Sequence, residues 1–327
     1  MEATLWVATD QGVFSYQRES RGWSEMITGL EGIHITSLVS SSDFILAGSR
    51  HGVCRSADGG RSWQEANAGL EIKYVRWLAT AQEKTSLIFA GTEPAGVFIS
   101  LNDGLSWQAC PEVIQMRNMH GWYLPYSPEA GCVRGFAIHG KRIYAAVEVG
   151  GVLRSDDGGE SWQLVSGASG NPADDYRTPS SSVNPDVHDL AIHPSSLELV
   201  YAPTGGGFYR SRDGGKSWEL NYRCYCRAVW VNPVNPEHLI LGPADGVDRG
   251  GRIEMTLDGG KTWMPASVGL DVPWSHHMVE RFYQVGEELL AVLSNGELYS
   301  TMISNLYWRR ILPDLNSVNA VASLDLG

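Results

Sequence analysis

Residues 155 to 162 read SDDGGESW. The string returns as SADGGRSW at 56 to 63, SRDGGKSW at 211 to 218 and TLDGGKTW at 256 to 263, with a looser copy, SLNDGLSW, at 100 to 107. A chain that writes one octet five times either repeats a reaction or repeats a piece of scaffold. Spacing bears on the choice. Each copy ends in tryptophan, and Trp23 and Trp308 fall in register with degenerate copies. From Trp23 through Trp63, Trp107, Trp162, Trp218 and Trp263 to Trp308 the steps are 40, 44, 55, 56, 45 and 45 residues. A period of this size is one small supersecondary unit repeated.

Each unit carries three further signals. An apolar run opens it: ITSLV at 35, VRWLA at 75, VRGFA at 133, VHDLA at 187, CRAVW at 226, VERFY at 279 and VNAVA at 318. A second run follows, such as FILAGS or IYAAVE, then glycine and a short third run such as GVLRS, then the octet, whose tryptophan begins a fourth. Short β-runs between turn residues predict a four-stranded antiparallel meander. Four strands at this period predict a propeller blade. The chain begins with a second strand, TLWVAT, and its last run, VNAVASL, is a first strand. Joined, residues 318 to 324 beside 4 to 9 complete one blade and remove an exposed sheet edge. The expectation is an all-β, seven-bladed β-propeller over residues 1–327 as a single domain.

The pattern S/T-x-D/N-x-G-x-x-W resembles the Asp-box (BNR) repeat family, and the resemblance covers the whole chain. The octet reads as scaffold. Its Asp accepts backbone N–H groups within its own turn, its Gly allows positive φ, and its Trp packs apolar area. Asp58, Asp157, Asp213 and Asp258 are therefore expected to be structural; the first and last blades lack the Asp. The resemblance implies kinship with sialidases, xyloglucan-active glycosidases, sortilin-type receptors and photosystem II assembly-factor propellers. The last are small, seven-bladed and carry an arginine patch, with which Arg76, Arg134 and Arg227 can be compared. Sialidases are six-bladed with an early Arg-Ile-Pro motif, which this sequence lacks.

Composition bounds the partners. A net charge of −12 argues against a nucleic-acid backbone. No run of 18 apolar residues suggests a membrane span. The first residues, MEATLWVATD, show no basic region before an apolar stretch, so no signal peptide is expected. Five cysteines, an odd number, fit reduced thiols and a cytoplasmic location. Cys110 and Cys132 bracket one insertion and would form a clamp in an oxidising compartment.

Loop lengths place the site. The connections at 108 to 132 and 163 to 186 are long, 264 to 278 is moderately long, and 243 to 251 lengthens its own blade. All fall on the face opposite the octets, where loops held by a rigid scaffold can bind. The second residue of each first strand enters from this face: Thr36, Arg76, Arg134, His188, Arg227, Glu280 and Asn319. Buried Arg is costly unpaired, so each either pairs with Glu93, Glu148, Asp245 or Asp248, or holds an anionic ligand through its guanidinium fork. The insertions add Arg117, His120, Trp122, Tyr123 and Tyr126, then Asp174, Asp175, Tyr176 and Arg177, then Trp274, His276 and His277. Aromatic and polar side chains together suit a small-molecule or sugar pocket.

Ligand-binding expectations are thus Arg76, Arg134, Arg227, His120, Tyr123, Tyr176, His277 and Glu280, with His188, Glu148 and Asp175 as candidate catalytic groups. Arg134, His188 and Arg227 are expected to line one pocket roofed by residues 117 to 126 and 174 to 177. A divalent metal held by His120, His188, His276 and His277 with Glu148 or Glu280 is a further option, although no H-x-x-x-H spacing exists and the C-x-C of RCYCR lacks a second pair. Three functions remain open. One is a propeller binding a small anionic or sugar-like ligand, with or without chemistry. A glycosidase would need two carboxylates about 5 to 9 Å apart, for instance Asp174 or Asp175 facing Glu148 or Asp245. The third is a protein-docking scaffold using the long-loop face.

Overall fold

The computed structural model describes the chain apart from residues 1–3, 20–21, 82–83, 125, 128–129, 177 and 325–327, and describes only the backbone of 84–86, 175, 176 and 324. Seven four-stranded antiparallel sheets form the molecule. Blade 1 is built from both ends of the chain: Val318–Leu324 pairs with Thr4–Thr9, followed by Gly12–Glu19 and Gly22–Gly29. Blades 2 to 7 follow in sequence order, their first strands being Ile35–Ser40, Val75–Ala81, Cys132–His139, Ala191–His193, Tyr225–Val231 and Val279–Val285. Each first strand contacts the first strands of both neighbouring blades, so these seven strands line the channel.

The second strands run as unbroken apolar stretches because both faces are covered. Ile143, Tyr144, Ala145, Ala146 and Val147 of blade 4 have no exposed area. Their alternate side chains enter different clusters, one shared with blade 3 and one with blade 5. Such a cluster fills every gap between adjacent blades around the ring. The core is therefore a series of sandwiches with no single centre, which suits a repeated unit.

The octets form turns between third and fourth strands. Asp157 accepts from Ser155 Oγ at 2.7 Å, Ser161 N at 3.0 Å and Ser161 Oγ at 2.5 Å, while Trp162 Nε1 donates to Gly159 O at 3.0 Å. Asp58, Asp213 and Asp258 repeat the arrangement. Gly159 sits at φ 95°, and a Cβ there would lie 2.7 Å from both Ile99 Cδ1 and Phe89 Cε1 of blade 3. Glycine is required both by the conformation and by the close approach of the neighbouring blade.

The insertion at 108 to 132, read as loop, contains an α-helix, Pro111–His120. Proline at its start and Gly121 in the left-handed region at its end (φ 63°) are ordinary helix boundaries. Its buried face, Val113 and Met116, fills the gap between blades 3 and 4. All five cysteines are free thiols, so Cys110 and Cys132 form no clamp.

Candidate functional site

A repeated irregularity builds the channel mouth. In blade 4 Val133 pairs with Val147 and Gly135 with Ala146, leaving Arg134 as a bulge. The register skips Thr36, Arg76, Glu280 and Asn319 in the same way, and Arg227 with Ala228 in blade 6. Bulges turn one side chain out of the alternating pattern. The bulged residue is the second or third of its first strand, so these six members of the ring inferred from sequence have a backbone cause, whereas His188 lies before the first strand of its blade, Ala191–His193.

Most of these charges are occupied by protein. Arg134 donates to Glu148 at 3.0 Å and to Glu280 at 3.2 Å. Glu280 also pairs with Arg227, which lies 3.8 Å from Asp248. Arg76 pairs with Glu93 at 2.8 Å, and Ser127 Oγ donates to the other Glu93 oxygen at 2.7 Å. Asp245 instead binds Arg252 at 3.0 Å. Burial pushes the Glu280 carboxyl up, but Arg227 and Arg134 outweigh it and hold it below its ordinary value. Burial likewise opposes ionisation of Glu148, and Arg134, His188 and the Tyr126 hydroxyl, donating at 2.5 Å, reverse it. Glu148 is a fixed anion, unlike the general acid of a glycosidase, whose pKa must be raised.

A second tier, Arg281 and Asp189, was not apparent in the sequence. Arg281 donates to Asp189 at 2.5 Å and to the carbonyls of Arg134 and His188, with its guanidinium 4.0 Å from the Trp77 ring centre. It ties blade 7 to blades 4 and 5 across the channel.

A cavity of about 420 Å³ opens at the mouth on the side of blades 7, 1, 2 and 3. Thr36, Arg76, Arg134, Glu280 and Asn319 line it, together with Arg50 and Tyr74. Arg50 and Arg76 stack on the same Tyr74 ring at 5.0 and 5.2 Å. Arg76 Nη1 is shared between Glu93 and the Tyr74 hydroxyl. Arg50 is exposed and, among the described residues, has no acidic partner. Arg50 and Asp10 occupy the turn between second and third strands, the position of Glu93 and Asp245 in their blades. Reading those turns in register would have found them.

The other expected residues lie elsewhere. Among the described residues, the cavity wall includes neither His188 nor Arg227, so the expected pocket of Arg134, His188 and Arg227 does not form this cavity. His120 stacks on Trp122, ring centres 6.2 Å apart. Tyr123 is exposed. His277 packs on Trp274 at 5.0 Å, and burial lowers its pKa. The side chains of Asp175, Tyr176 and Arg177 lie outside the described residues. His188 is fully buried beside Glu148 and Asp186, apart from His120, His276 and His277.

A family model described as BNR/Asp-box repeat matches residues 209–220, the octet of blade 5 with its flanks. The chain is a seven-bladed β-propeller that carries an Asp-box repeat. No curated protein matches the sequence of this propeller. Among solved structures it is similar to a GH74 xyloglucanase from Xanthomonas campestris (16% identity, 86% of this chain and 45% of that chain, TM-score 0.64). It is similar also to a structure described as YCF48 bound to D1 peptide (15% identity, 95% of this chain and 88% of that chain, TM-score 0.60). A third is YCF48 from Cyanidioschyzon merolae (14% identity, 92% and 91%, TM-score 0.62). The propeller spans less than half the length of the GH74 enzymes it resembles, 38% of an ancestral one. At these identities the likeness shows the fold.

Proposed function

We propose that this propeller binds an anionic group, the carboxylate of a peptide or protein partner, at the channel mouth opposite the Asp-boxes. The observation that carries the reading is the Arg50–Tyr74–Arg76 stack on the rim of the cavity. The other channel arginines are neutralised by buried carboxylates, whereas Arg50 presents an uncompensated guanidinium to solvent in an acidic protein. A planar fork stacked on an aromatic ring is held ready for bidentate contact with a carboxylate. A peptide fits better than a buried metabolite because the cavity is open and its wall is a ring of turns. One neighbour matched over most of its length is described as bound to a peptide.

A glycosidase is the second reading, supported by the similarity to GH74 enzymes. It must draw on carboxylates other than Glu148, which is 5% exposed and committed to Arg134 and Tyr126.

Fluorescence anisotropy with a labelled acidic peptide bearing a free C-terminal carboxylate tests the first reading. Binding should be saturable, weaken with salt, and fall about tenfold or more in Arg50→Ala, the loss expected for one charge-assisted contact. Equal binding by wild type and Arg50→Ala would refute it. Release of reducing sugar from xyloglucan would favour the second reading.

A further inference from the structure

On the opposite side of the channel, Glu148 of blade 4 and Asp186 and His188 of blade 5 each offer a donor atom, all within 4.8 Å of one another. His188 Nδ1 lies 2.8 Å from the Cys226 carbonyl oxygen. A carbonyl only accepts, so Nδ1 carries a hydrogen and donates it there, and Nε2 is turned the other way. Nε2 faces Asp186 Oδ1 at 3.1 Å, and the Tyr225 hydroxyl lies 3.3 Å from it. Asp186 Oδ1 is buried and, apart from this contact with His188 Nε2, has no hydrogen-bond partner among the described residues.

We infer that Glu148, Asp186 and His188 form a binding site for a divalent first-row transition-metal ion. One imidazole and two carboxylates are donors for zinc, manganese or ferrous ions. The Nδ1–H bond to a backbone carbonyl is the outer-shell contact that fixes the tautomer and ring of a metal-bound histidine. A cation bound here satisfies the buried Asp186 oxygen. Donors at about 2.0–2.2 Å from such an ion need only a small inward movement from the present spacing. Gly205 admits the Asp186 carboxylate, because a Cβ there would lie 2.1 Å from Asp186 Oδ2. This site meets the wall of the anion cavity through the Glu148–Arg134 pair, but Asp186 and His188 do not line that cavity.

The test is isothermal titration of the EDTA-dialysed full chain with zinc chloride, and separately with magnesium chloride. One zinc per chain is expected, bound more tightly than magnesium, with a rise in melting temperature that EDTA reverses. Asp186→Asn keeps the shape and removes the charge. It should weaken zinc roughly tenfold to hundredfold, the range for disturbed metal surroundings, while leaving acidic-peptide binding at Arg50 unchanged. His188→Gln is the second variant. No zinc binding by wild type would overturn the assignment. So would zinc affinity unaltered in both variants, or binding abolished by alkylating the thiols, which would place the ion on the cysteines.

Discussion

Replacing Asp157 by alanine removes three accepted hydrogen bonds, two from Ser161 and one from Ser155. A net hydrogen bond contributes about 0.5–1.5 kcal/mol. This turn is half exposed and its freed donors reach water, so the lower end applies to each and the expected loss is about 1–2 kcal/mol. With an unfolding entropy of about 2.1 cal/mol/K per residue, this lowers the melting temperature by about 1.5–3 °C. Asparagine should behave differently, and blade 3 shows why. There Asn102 Oδ1 accepts from Ser100 Oγ and Ser106 N, both at 3.0 Å, and Nδ2 donates to Ser106 Oγ at 2.9 Å. All three contacts survive, with one hydroxyl reversed. Asp157→Asn should therefore melt within about 1 °C of wild type at neutral pH. Hydrogen bonds from Ser161 and then Ser155 lower the Asp157 carboxyl from 3.8 to about 2. A depressed folded-state pKa contributes stability above pH 3.8 that is lost as pH falls toward about 2. The asparagine variant lacks that loss and should gain on wild type across this window. Melts followed by circular dichroism at pH 7 and at low pH decide. Equal damage from Ala and Asn would show that the charge holds the turn; no effect from Ala would show that these bonds do not.

Glu280→Gln leaves Arg134 and Arg227 sharing a neutral partner and should cost about 3–5 kcal/mol in urea unfolding, the cost of breaking a buried ion pair; a change under about 1 kcal/mol would mean that solvent or a bound anion compensates. Gly159→Ala forces a Cβ into Phe89 and Ile99 at a positive φ and should cost at least about 1 kcal/mol, visible as a lower urea midpoint at unchanged slope. Removing residues 318–327 exposes the edge of Thr4–Thr9 and should yield aggregated or unfolded chain on size-exclusion chromatography; a folded monomer would show that blade 1 closes without its inner strand.

The fold was legible because seven copies of one pattern reinforce each other, so that Trp23 and Trp308 are recognised without their Asp. The helix at Pro111–His120 was missed because its ten residues show almost no amphipathic pattern and, inside an insertion, have no repeat to support them. Arg76, Arg134, Arg227 and Glu280 occupy the bulges near the start of their first strands, since position in a strand follows from register. Their partners did not follow, because whether Glu280 reaches across to both Arg134 and Arg227 depends on ring diameter and bulge geometry. Asp186 lies two residues before His188, and in extended chain such residues share a face; that signal was present in the sequence and was overlooked. Arg50 was hidden in a turn that looked like punctuation.

Closure of the ring through blade 1 also sets a clock on biosynthesis. Thr9 and Val318 are neighbours in the folded sheet and lie roughly 300 residues apart in the chain. At about 5–20 residues per second, the ribosome delivers the second partner about 15–60 s after the first. Throughout that interval Thr4–Thr9 has a bare edge, and its sticky apolar face (Leu5, Val7) lacks the cover that blade 7 and Val318–Leu324 later supply. Blades 2 to 6 can assemble vectorially as they emerge, but the last pairing is a long-range loop closure, slow by topology. Nascent chains should therefore be most vulnerable to aggregation and most dependent on chaperones just before Val318–Leu324 emerges, and least so once that strand is in place.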